Sequence, residues 1–215
     1  MTNLQADTSP TTTAPPWVAR AGLICLVAGL LGAASGLFLA VYPAQVSDDM
    51  YSYPLTADGF TGIQFWFVVQ HLGLIAGLAS LAAAGVMAPG GFARWGAWLS
   101  LAGMALLTVT ELLAIGARDS TYPGDMTGTL DTLYGVSSIA AGIGLILAGI
   151  AVRRGGRWAG WRRNIVLVAG IFVFIPMTPA IMGPFVLARL AITCWMLLFA
   201  ALGYALWRSG PARPS

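Results

Sequence analysis

The sequence predicts an all-α integral membrane protein, a bundle of six transmembrane helices with both termini in the cytoplasm. Three observations carry this. First, the 215-residue chain is 58% hydrophobic and only 9% charged, whereas a soluble domain of this size usually carries about 25% charge. Second, the apolar residues gather into six runs, each near the ~20 residues that cross a bilayer. They are too long and continuous for barrel strands, which alternate over about 10 residues. Third, the charges between the runs sort by side.

The elements follow in order. Residues 1–16 are Thr, Ser and Pro with a single acid, Asp7. This composition cannot bury apolar surface and reads as a disordered cytoplasmic tail. The six-helix domain occupies residues 17–208, and 209–215 form a second cytoplasmic tail. The first span runs from Trp17 to Tyr42. A cleaved signal peptide is its competing reading, but the run is too long for that apolar region and its only basic residue is Arg20. The second span covers Gly62 to Ala88, the third Trp95 to Ala117 and the fourth Leu130 to Val152. The fifth covers Asn164 to Ile181 and the sixth Phe185 to Trp207. Gly32 with Gly36, and Gly73 with Gly77, have the small-residue spacing that lets helix backbones approach. The segments Gly90–Trp98 and Gly155–Trp161 echo one another, as Gly turns followed by interfacial Trp and Arg.

Orientation comes from the loops. Arg153, Arg154, Arg157, Arg162 and Arg163 share one side with Arg20, Arg94, Arg208 and Arg213. These nine arginines with Asp7 give +8. Opposite lie Asp48, Asp49, Asp58, Asp119, Asp125 and Asp131 against Arg118 and Arg189, which gives −4. Cytoplasmic loops are enriched in basic residues, so the arginine side is read as cytoplasmic and the membrane as the cell membrane. With Glu111 inside a span adding −1, this segregation accounts for the net charge of +3 without nucleic acid.

Ionisable groups inside hydrocarbon are costly and therefore mark candidate sites. His71 is the only histidine and Glu111 the only glutamate. Counting from the outer ends of their spans puts both roughly 10–14 Å below the outer surface, at about 1.5 Å per residue. A His beside a carboxylate can relay protons. Gln64, Gln70, Thr108, Thr110, Tyr134, Ser137 and Ser138 fall in the same half. Pro176, Pro179 and Pro184 break the fifth span, which would form a floor for an outward-facing polar pocket. The alternative is a cluster that only ties helices together. In the first external loop, Asp48, Asp49 and Asp58 surround Tyr51 and Tyr53, either as a cation-binding or capping site or as a solvated turn with interfacial Tyr.

Other chemistries find no support. Cys25 and Cys194 sit near opposite ends of their spans, too far apart in depth for a disulfide. One His and two scattered Cys do not make a zinc shell. No Walker loop or dinucleotide fingerprint occurs. No cofactor and no metal is expected.

The run Tyr51-Ser52-Tyr53-Pro54-Leu55, then Gln64 and Gln70-His71-Leu72-Gly73, resembles a group of uncharacterised multi-pass membrane proteins of high-GC actinobacteria. Arg157-Trp158-Ala159-Gly160-Trp161-Arg162-Arg163 adds to the likeness, which spans most of residues 43–165. The resemblance implies a six-span fold and assigns no functional residue.

Three roles follow, in order of preference. The first is a non-enzymatic membrane protein that works through a membrane protein partner, as an accessory subunit or as a homo-oligomer. The second is a small proton-coupled carrier with a polar pocket around His71 and Glu111. The third is an intramembrane enzyme. The lipid bilayer is a partner in all three.

Overall fold

In the computed structural model, residues 15–209 are described. The tail expectations for residues 1–14 and 210–215 fall outside them. Six helices are long and apolar enough to cross a membrane, and the described residues hold no named strand. Helix α1 is Pro16–Val41, α2 Ala57–Ala83, α3 Gly91–Ala114 and α4 Asp125–Gly155. A 3-10 turn, Ile115–Ala117, extends α3. The fifth span is composite: α5 Arg162–Phe172, a π turn Val173–Met177 and a short α6 Thr178–Ile181. Helix α7 is Phe185–Trp207.

Local chemistry sets the ends. Thr56 caps α2, its Oγ1 accepting from the Gly59 N–H at 3.2 Å, with Asp58 in the first turn. Thr127 closes the start of α4, accepting from Gly124 N at 3.0 Å and donating to Gly124 O at 2.9 Å. Arg153 and Arg154 fill its last turn, and Gly156 ends it at φ 66°, a left-handed value that favours glycine. Pro176 lies inside the π turn. It has no N–H to continue the ladder, and the π turn closes where the Thr178 N–H and Oγ1 both donate to Val173 O, the hydroxyl at 2.7 Å.

The expected spans differ from the helices mainly where polar turns join the rod. Helix α2 starts at Ala57 rather than Gly62 and ends at Ala83 rather than Ala88. Helix α4 runs from Asp125 to Gly155, beyond the expected Leu130–Val152. Capping residues extend a helix past its apolar run, which hydropathy alone does not register.

Consecutive spans pack as antiparallel neighbours, and α7 closes on α1, so the order α1–α2–α3–α4–α5–α7 forms a ring. Helix α2 also touches α7 across it. Small residues permit the closest approaches. A Cβ on Gly29 would stand 2.6 Å from Ala200 N, and one on Gly103 would stand 2.7 Å from Ser137 O. Gly73 faces Ala28 and Gly77 faces Cys25, so these glycines pack within the chain. The two Gly/Trp/Arg segments diverge in structure. From Gly91 the first is helical, whereas in the second Trp158 is buried and donates to Ser209 Oγ at 3.1 Å.

Candidate functional site

The main core fills the ring, and a smaller apolar cluster of Leu39, Leu55, Phe60, Ala114, Ala117 and Leu130 sits toward the aspartate end. Buried polar side chains from α2 and α3 occupy the ring near this second cluster. They divide into two groups because neighbouring helix residues point about 100° apart.

The first group joins α2 to α3 and α4. His71 and Glu111 are 4% and 7% exposed. His71 Nδ1 lies 3.9 Å from Glu111 Oε1. Tyr134 O–H donates to Glu111 Oε2 at 2.7 Å. Gln64 Nε2 donates to Glu111 O and to Tyr134 Oη, both at 3.3 Å. His71 Nδ1 has no hydrogen-bond partner. The second group joins α2 to α1. Ser35 Oγ accepts from Trp66 Nε1 at 2.9 Å and from Gln70 Nε2 at 3.0 Å, and donates to Leu31 O at 2.8 Å. Gln70 therefore belongs to a different interface from His71, one residue away.

His71 and Glu111 share a layer, with Nδ1 and Oε1 3.9 Å apart. His71 is about 21 Å along α2 from Ala57, while Glu111 is about 9 Å from the end of the 3-10 turn at Ala117. The two helices are staggered along their axes.

Pro176 stands apart from both groups. It is exposed on the outer side of the π turn, and that turn packs on α4, α5, α6 and α7. The broken span is therefore no floor beneath His71 and Glu111. Its proline is exposed, and its missing N–H leaves the carbonyl one turn earlier without that donor.

The loops of the aspartate end meet over the polar layer. Tyr51 N donates to Ser120 O at 2.9 Å and Tyr122 N to Asp49 O at 2.8 Å, which pairs Met50 with Thr121 in an isolated bridge. Tyr51 packs on Phe60 and Tyr122, with ring centroids 5.6 and 5.4 Å apart. Tyr53 packs edge-on against Phe185 at 5.0 Å. Arg189 lies over the Phe185 ring at 4.8 Å. Tyr122 O–H donates to Asp131 Oδ1 at 3.1 Å. Burial pushes the Tyr51 phenol above its ordinary range, and Tyr122, Asp131 and Glu111 push the same way against Arg189. Burial and then Asp131 raise Tyr122 as well.

The two tyrosines of the first loop thus anchor a cap. Asp48, Asp49 and Asp58 remain exposed, and the described residues contain no group of three metal-ligating side chains. Cys25 is buried and Cys194 exposed, both as free thiols. Ser35 and Arg189 are the residues that sequence reasoning passed over. The signal for Ser35 was its place one residue before Gly36, on the face that meets α2 and α7. Arg189 was read only as a loop charge, although it begins the second turn of α7 beside the cap.

The chain matches no family model, no curated protein and no solved structure.

Proposed function

We propose that the protein is a non-enzymatic membrane protein of the cell membrane, acting through a membrane partner or a second copy of itself, with its arginine end and both termini in the cytoplasm. The closed polar layer carries this reading. Glu111 spends its hydrogen bonds on Tyr134, with Gln64 on its carbonyl, and the paired external loops lie above. A protein that processes a substrate must present such groups to it. This one turns them inward and offers its surroundings an apolar helical surface and short loops. A molecule of that kind works by being bound. Extraction in a mild detergent tests the reading. A second component should co-purify at constant ratio, or the protein should run as a defined oligomer. A lone monomer under every mild condition counts against it.

One observation favours a second reading, the proton-coupled carrier. His71 Nδ1 is buried without a partner and stands 3.9 Å from Glu111 Oε1. A small approach would let imidazole and carboxyl share a proton. In proteoliposomes, Glu111→Gln and His71→Asn should each abolish proton-coupled uptake while leaving folding intact. Wild-type liposomes that move neither protons nor solute would remove this reading and leave the first standing.

A further inference from the structure

A groove of about 330 Å³ opens at the arginine end between α4 and α5, lined by Ile150, Arg153, Arg154, Arg163 and Leu167. The three arginines come from the last turn of one helix and the first turn of the next, so both walls of the groove contribute basic residues. Among the described residues none has a carboxylate partner. Among the described residues the ion pairs are His71–Glu111 and Arg118–Asp119, both away from this groove, and every described acid outside α3 lies toward the opposite end. Arg154 is held in place by the Phe92 ring, 4.4 Å from its guanidinium carbon.

The remaining lining is apolar. Ile150 and Leu167 are half-buried. Seven residues before Ile150 and four after Leu167, on the same helix faces, stand Ile143 and Ile171, exposed by 42% and 39%. An apolar track therefore leads from the arginines down the lipid-facing surface. Trp161, Trp95 and Trp98 are exposed at the same end, as expected at a headgroup level.

Three unpaired guanidinium groups above an apolar track match a phosphodiester joined to acyl chains. We infer that this groove is a binding site for an anionic phospholipid, its phosphate held by Arg153, Arg154 and Arg163 and one chain lying along Ile150 and Leu167. A basic end sorted only by topology would attract anionic lipid equally through all its arginines. The groove instead makes these three decisive. The inference stands apart from the partner and carrier readings, since it concerns neither the polar layer nor the cap.

The test is lipid retention by the full chain in neutral detergent, read by native mass spectrometry and by thermal unfolding. Phosphatidylglycerol, phosphatidylcholine and inorganic phosphate are the probes. Wild type should retain phosphatidylglycerol at least about tenfold over phosphatidylcholine. Retention should fall roughly fivefold for each of Arg153→Gln and Arg163→Gln. The matched variant Arg20→Gln/Arg94→Gln/Arg208→Gln, which removes three exposed arginines from the same end, should retain wild-type selectivity. Equal retention of the two lipids by wild type overturns the inference, and this arm needs no variant to fold. Equal loss in the matched variant also overturns it, as does displacement of phosphatidylglycerol by inorganic phosphate at the same concentration.

Discussion

Glu111 is the residue on which the buried layer depends, because its carboxylate lies between His71 of α2, 3.9 Å away, and the Tyr134 hydroxyl of α4. Its carboxyl accepts from Tyr134 at 2.7 Å, and Tyr134→Phe removes that donor while preserving shape. The cost should be roughly 0.6–2 kcal/mol, the range for hydrogen bonds between transmembrane helices, read as a lower unfolding temperature in detergent. Glu111→Gln can still accept from Tyr134 and should cost less than Tyr134→Phe. The reverse order would show that charge, rather than the hydrogen bond, holds the layer. Tyr51 makes a prediction about pH. Its folded pKa is raised, chiefly by burial, so the fold keeps the phenolic proton after the unfolded chain has lost it. That contribution is full below about pH 10, the ordinary phenol value, and is lost as pH rises further. Wild type should therefore lose more stability than Tyr51→Phe when unfolding temperatures are followed upward from about pH 10.

At the scale of the element, helix contacts are set by what each glycine faces. Gly103 meets the backbone of α4, where a Cβ would stand 2.7 Å from Ser137 O. Backbone cannot move aside as a flexible side chain can. Gly103→Ala should destabilise by about 1–3 kcal/mol through overpacking. Gly135, on α4, has open space around its Cβ position. Gly135→Ala should be neutral or stabilise by up to about 1 kcal/mol, since alanine is the better helix former. Equal effects of the two substitutions on unfolding temperature would refute the packed α3–α4 interface. The fifth span shows how an element absorbs a residue it cannot accommodate. Pro176 supplies no N–H, and the chain widens into a π turn while staying on course across the bundle.

For the whole molecule, the ring of antiparallel helices puts all described inter-span loops at two ends, one rich in arginine and the other in aspartate. Reporter fusions at Trp158 and Asp48 should therefore give opposite signals, the first cytoplasmic and the second external. A cytoplasmic signal at Asp48 would invert the molecule and move the lipid groove to the outer leaflet. The loops of the aspartate end also matter at this scale. Their bridge at Met50 and Thr121 ties the α1–α2 connection to the α3–α4 connection, joining parts of the ring that are not consecutive in the chain.

The sequence by itself determined the six helices and the sorting of charge between the two ends, because a bilayer demands a fixed apolar length and penalises buried charge whatever the neighbours are. His71 and Glu111 stood out for the same reason, as the only residues of their kind within apolar runs. Only the tertiary structure decided how they are used. Helix phase turns His71 toward Glu111 and Gln70 toward Ser35, although the two are adjacent in sequence. The stagger of α2 against α3 brings the pair level despite their unequal distances from the helix ends. Ring order leaves Pro176 facing outward instead of beneath them. Phase, stagger and neighbour order arise from contacts between distant segments, and hydropathy along a single chain carries no record of those contacts.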